Sequence, residues 1–83
     1  MRIYPNPFSV RFTVEFQSSI LGSPEFKLIV SNVTGAKIYE SQILVADTTT
    51  IAKEIVLSSV PEGVYFVTIK SGSSVRTTKI IKK

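Results

Sequence analysis

Residues able to do chemistry are few in this chain. Its 83 residues include six acids, Glu15, Glu25, Glu40, Asp47, Glu54 and Glu62, but neither histidine nor cysteine. Without histidine the commonest general base and the commonest metal ligand are both missing. A Ser-His-Asp triad cannot be assembled, and without cysteine there is no disulfide and no thiolate metal site. A hydrolytic carboxylate pair would have to come from the six acids. Four of them lie in alternating runs that turn them to solvent, and Asp47 and Glu62 lie in loops. None is flanked by the small or aromatic residues that line a sugar cleft, and the acids are too scattered for a calcium loop. A Ser-Lys pair is formally open, with no local motif behind it. The expectation is a non-catalytic chain with no cofactor and no metal.

The basic residues are the other chemical resource. The net charge is +4, spread along the chain except in "KIIKK", which gathers Lys79, Lys82 and Lys83. Such a cluster can bind an anionic surface or nucleic acid, or protect the edge of a last strand. No aromatic residues interleave with these lysines and no nucleic-acid motif accompanies them, so a nucleic-acid-binding barrel rests on charge and little else. The triplet Asn32-Val33-Thr34 is formally a glycosylation acceptor, but the sequon is common by chance and the turn it resembles is the preferred reading.

The elements that must position these groups follow from alternation. At 43% hydrophobic the chain is not a disordered segment, and its length suits one small domain. No apolar run approaches the length of a membrane helix. "RFTVEFQ" puts Phe12, Val14 and Phe16 on one face, "EFKLIVSN" does so with Phe26, Leu28 and Val30, and "VYFVTIK" with Tyr65, Val67 and Ile69. "TIAKEIVL" alternates through Ile51, Lys53, Ile55 and Leu57 with one polar intruder. Gly35 in "SNVTGAK" is placed for a positive φ, and "SGSS" is a tight turn. At Ile43-Leu44-Val45 the alternation breaks, as at a bulge or a change of sheet. Six or seven short strands at roughly ten-residue spacing predict an antiparallel sandwich or barrel. No internal repeat or internal linker is visible. In "LSSVPEGVY", Leu57, Val60, Gly63 and Tyr65 have the spacing of a tyrosine corner, an arch between opposite sheets closed by a tyrosine hydroxyl on upstream backbone.

The N-terminal "YPNPF" completes the set. Each proline fixes φ and biases the residue before it to extended geometry, so Asn6 is expected extended, with Tyr4 and Phe8 anchoring the segment on the core. Taken together, "YPNPF", "LSSVPEGVYFVTIKSG" and "KIIKK" resemble the type A C-terminal sorting domain of the type IX secretion system of Bacteroidetes. Tyr4, Pro5, Asn6, Pro7 and Phe8 match the family's first motif without a gap. Gly63, Tyr65, Val67 and Ile69 match its second, and Gly72 with Lys79, Ile80, Ile81, Lys82 and Lys83 match its third. The likeness covers nearly the whole chain. One departure is Val56, where members often carry Asp or Asn before the Leu-Ser stretch.

The resemblance implies an immunoglobulin-like sandwich of about seven strands, with residues 1–83 forming a single C-terminal sorting domain of a longer secreted protein. It implies that the domain is a label and not a catalyst. The attached cargo would reach the periplasm by an N-terminal signal of its own. Outer-membrane machinery of the secretion system would read the domain, and a sortase-like peptidase would remove it as the cargo reaches the cell surface or medium. The recognition residues expected on this reading are Tyr4, Pro5, Asn6, Pro7, Phe8, Gly63, Tyr65, Lys79, Lys82 and Lys83. Ile80 and Ile81 should face opposite sides of the last strand, with the three lysines near the surface. The alternative is an immunoglobulin-like accessory or carbohydrate-binding module, for which Tyr39 and Phe66 are the exposed aromatic candidates.

Overall fold

The computed structural model describes residues 1–17, 25–44, 50–72 and 74–83. Seven strands follow one another, β1 (Arg2–Tyr4), β2 (Arg11–Gln17), β3 (Glu25–Asn32), β4 (Lys37–Leu44), β5 (Thr50–Val56), β6 (Gly63–Ser71) and β7 (Ser74–Lys82), with no helix among the described residues. They form two antiparallel sheets, a three-stranded one ordered β1-β2-β5 and a four-stranded one ordered β4-β3-β6-β7. The sheets pack face to face as a sandwich.

Alternation is the reason. Successive side chains of a strand point to opposite faces, and the residues of the apolar faces meet between the sheets. Phe12, Val14, Phe16, Phe26, Leu28, Val30, Tyr65, Val67 and Ile69 are all buried, as their spacing predicts, and Phe8, Ile55, Leu57 and Ile80 join them. The rings of Phe16 on β2 and Phe26 on β3 meet across the sheets, with centroids 5.1 Å apart at 70°. That edge-to-face geometry suits the ring quadrupoles and adds about 0.5–1.5 kcal/mol beyond area burial. Lys53, the polar intruder of β5, is half-buried.

The β3–β4 turn takes the expected form. Gly35 has φ 88°, a conformation that excludes most side chains. The Asn32 side-chain oxygen accepts from the Thr34 N–H at 3.1 Å, the Thr34 hydroxyl at 2.7 Å and the Ala36 N–H at 3.0 Å. The sequon asparagine is thus the internal brace of the turn. The register of β3 against β4 shifts between Val30↔Tyr39 and Ser31↔Lys37, so Ile38 is the extra residue of a bulge. Among the described residues the irregularity lies at the start of β4. β4 stays in one sheet through Leu44, and Val45, where the alternation breaks, lies outside the described residues.

β6 and β7 form a hairpin that pairs Ser71 with Ser74 across the "SGSS" turn. From there the register runs without a slip to Gly63↔Lys82. Ile80 is fully buried, while Ile81, one residue on, is 36% exposed on the outer face. The two isoleucines therefore face opposite ways, as expected.

Candidate recognition site

The three motifs are far apart in the chain and converge at one end of the sandwich. The centre of that end is the arch Leu57–Gly63, which carries the chain from β5 in the three-stranded sheet to β6 in the other. Gly63 ends the arch at φ 149°, a value open to glycine. The Tyr65 side chain is buried and its hydroxyl donates to the Pro61 carbonyl at 2.5 Å. This is the tyrosine corner that the spacing predicts: cross-sheet arch, tyrosine at the start of the following strand, and backbone acceptor four residues upstream.

Lys82 closes the arch from the other side. Its side chain turns inward, and the residue is only 7% exposed. Its ammonium donates to the carbonyls of Leu57 at 2.8 Å, Ser58 at 3.2 Å and Val60 at 2.6 Å. An ammonium has three protons to donate, and here three carbonyls take them. Those carbonyls belong to a curved segment that lacks ladder partners, and burial without a partner is costly. The expectation of three surface lysines is therefore corrected: Lys79 and Lys83 are exposed, and Lys82 is a structural clamp. Strand periodicity explains the error. Lys82 is two residues beyond the inward-facing Ile80, so it shares that residue's face. The alternation of "KIIKK" carries that signal, although lysine by its type belongs outside.

The "YPNPF" segment reaches the same place. After pairing with β2 through Tyr4↔Thr13, the chain leaves the three-stranded sheet and docks on the outer edge of β7. The Phe8 N–H donates to the Ile81 carbonyl at 2.9 Å, and the Lys83 N–H donates to the Phe8 carbonyl at 2.8 Å. The Asn6 side-chain oxygen accepts from the Ile81 N–H at 3.1 Å. Residues 5–7 bend instead of running straight, because the chain must cross between sheets here. Asn6 is therefore not part of an extended strand, which corrects the reading from proline geometry. The Tyr4–Pro5 and Asn6–Pro7 bonds are both cis.

Of the two aromatics that flank the prolines, one anchors on the core. Phe8 is buried with its ring 4.8 Å from that of Phe12. Tyr4 is 37% exposed instead, with the Arg2 guanidinium 4.9 Å from its ring centroid and its hydroxyl donating to Glu15 at 3.4 Å. Strand β1 is an edge strand, and Tyr4 stands on its outer side. Pro5, Asn6, Pro7 and Gly63 are exposed. The structure thus gathers Asn6, Phe8, Gly63, Tyr65 and Lys82 at the arch, and leaves Tyr4 on the flank of the other sheet.

Four of the acids carry partners rather than forming a site. Glu15 pairs with Arg2 at 3.7 Å, Glu54 with Arg11 at 3.9 Å, and Glu40 with Lys37 at 3.1 Å and Lys27 at 3.6 Å. The hydrogen bond from Lys37, helped by the charges of both lysines, holds the Glu40 carboxyl below its ordinary range. Gln42 donates to Glu25, Glu62 is exposed on the arch, and Asp47 lies outside the described residues. Among the described residues no group of three or more His, Cys, Asp or Glu could hold a metal ion. Tyr39 and Phe66 are each half-buried, and Tyr39 packs against the core. The pair expected to be exposed therefore does not form an open aromatic platform.

A family model described as the secretion system C-terminal sorting domain matches residues 2–83. The chain belongs to this family. No curated protein and no solved structure matches it significantly. Members are sorting signals of the type IX secretion system, so a sorting domain marks a secreted or surface-exported protein and implies an interaction with that system. Within this sorting domain the sequence motifs are parts of one structural unit: the first covers the edge of the third, and the third clamps the arch of the second.

Proposed function

We propose that this sorting domain is the C-terminal label of a longer exported protein, that the secretion machinery reads it at the arch end, and that it is then cut away. The observation that carries this reading is the convergence of "YPNPF", the arch and "KIIKK" at one end of the molecule. A label must be recognisable as folded, and this end exists only when β7, the arch and the N-terminal segment are all in place. Strand β1 begins beside Glu15, toward the other end of β2. With a longest dimension of 35 Å, the molecule has room for a cargo joined ahead of β1 without covering the arch. A sortase-like peptidase acting upstream of Arg2 would work away from the recognised end. The periplasm is the transit compartment on this reading, the domain performs no chemistry of its own, and residues 1–83 act as a single unit.

The immunoglobulin-like assignment of the sandwich is supported by the cross-sheet arch and its tyrosine corner. The test is a fusion of a periplasmically targeted fluorescent reporter to residues 1–83, expressed in a host that has this secretion system. Delivery to the surface or medium, with loss of the domain from the mature reporter, is the expected result. Retention of the intact fusion in the periplasm would overturn the proposal.

A further inference from the structure

Strand β7 is an edge strand that is covered along only part of its length. The Ile81 N–H and C=O both point away from β6, toward Asn6 and Phe8. In an antiparallel pair these directions alternate, so the N–H and C=O groups of Val75, Thr77 and Lys79 also point outward. None of them has a partner among the described residues. This open stretch, Val75 to Lys79, is five residues and roughly 17 Å long. Val75, Arg76, Thr77 and Lys79 are exposed, and Thr78 is half-buried.

The charges around it have one sign. β6 and β7 carry Lys70, Arg76, Lys79 and Lys82 and no acid. Lys82 is spent on the arch, while Lys70, Arg76 and Lys79 make no ion pair among the described residues. The other edge strands differ in having their charges paired: Arg2 of β1 pairs with Glu15, β4 carries Glu40 beside Lys37, and Glu54 of β5 pairs with Arg11. A second copy of this chain fits poorly, because an antiparallel β7–β7 contact would bring Arg76 and Lys79 against their own kind.

We infer that the open edge of β7 between Val75 and Lys79 is a docking site for an extended, acidic segment of a partner protein, which adds to the sheet as a further strand. The edge already accepts the backbone of its own chain at the single Phe8 bridge, and the guest continues that line. Main-chain hydrogen bonds supply the contact, and carboxylates of the guest meet Arg76 and Lys79. The inference names the partner chemistry of the sorting label and rests on that reading only in taking the partner to be export machinery.

The test needs no export, so the two ideas fail separately. The whole chain, labelled with nitrogen-15, is titrated with a nine-residue peptide that repeats Glu-Glu-Val, which places carboxylates on both faces of an added strand, as Arg76 and Lys79 lie on opposite faces of β7. The expected result is shifted and exchange-protected amides at Val75, Thr77 and Lys79, with little response to the matching Lys and Val peptide. Thr77→Pro removes an outward donor without touching the β6 ladder and should weaken binding about tenfold or more. If that variant does not fold, Arg76→Glu with Lys79→Glu serves instead and should reverse the preference between the two peptides. Absence of any shift at millimolar peptide, equal response to both peptides, shifts on β4 or β5 instead, or self-association through β7 would each overturn the inference.

Discussion

Two side chains hold the arch, and they do so with different chemistry. Tyr65 offers one neutral hydroxyl to one carbonyl, whereas Lys82 offers a charged donor to three. Tyr65→Phe keeps the ring in the core and loses one partly buried hydrogen bond, so it should cost about 1–2 kcal/mol. Lys82→Met keeps the aliphatic stem and leaves three carbonyls without their donor. Hydrogen bonds to charged groups are the stronger kind, so its cost should be larger, on the order of 2–3 kcal/mol. Urea denaturation of both variants checks the order. An unchanged midpoint for Lys82→Met would show that water replaces the ammonium freely and that the clamp is incidental. Read from its type alone, Lys82 belongs on the surface; its neighbour Ile80 gives the better indication of where it points.

At the scale of elements, the N-terminal segment serves both sheets. β1 edges the three-stranded sheet, and Phe8 pairs with the last strand of the other. One short stretch thereby joins the sandwich along its side. Phe8 fills the core at this crossing, so Phe8→Ala should cost about 3–5 kcal/mol through the cavity it leaves. It should also loosen the end of β7, because the Phe8 backbone covers the Ile81 and Lys83 groups. Hydrogen exchange at Lys83 checks this directly: relative to the unsubstituted protein, a larger rise in rate there than at mid-strand Val67 is expected. A uniform change across both would mean that the segment merely adds core volume.

For the whole molecule, the division of labour among the three terminal lysines is the consequential point. Lys82 belongs to the fold, while Lys79 and Lys83 remain exposed with no ion-pair partner among the described residues. Replacing all three together would mix destabilisation with loss of recognition. Replacing Lys79 and Lys83 by Gln separates them. Stability should change by less than about 0.5 kcal/mol, since exposed charges contribute little. Reporter export should nonetheless fall sharply if these charges meet acidic groups of the machinery. Full export by the stable double variant would place recognition elsewhere on the domain.

Alternation along Phe12–Phe16, Phe26–Val30 and Tyr65–Ile69 determined the all-β class and most of the core, because side-chain direction in a strand is a local property of the backbone. The Gly35 turn and the tyrosine corner were legible for the same reason: each closes within a few residues. Partner choice was not. Nothing local says that Asn6 will accept a hydrogen bond from Ile81, 75 residues away, or that Tyr4 will stand outside while Phe8 goes in. Nor does the lysine-rich tail show that the carbonyls needing Lys82 lie on an arch formed 22–25 residues earlier. Those contacts exist only once two sheets have stacked and brought three distant motifs to one end, so the tertiary structure alone decided which of the motif residues face a partner and which hold the domain together.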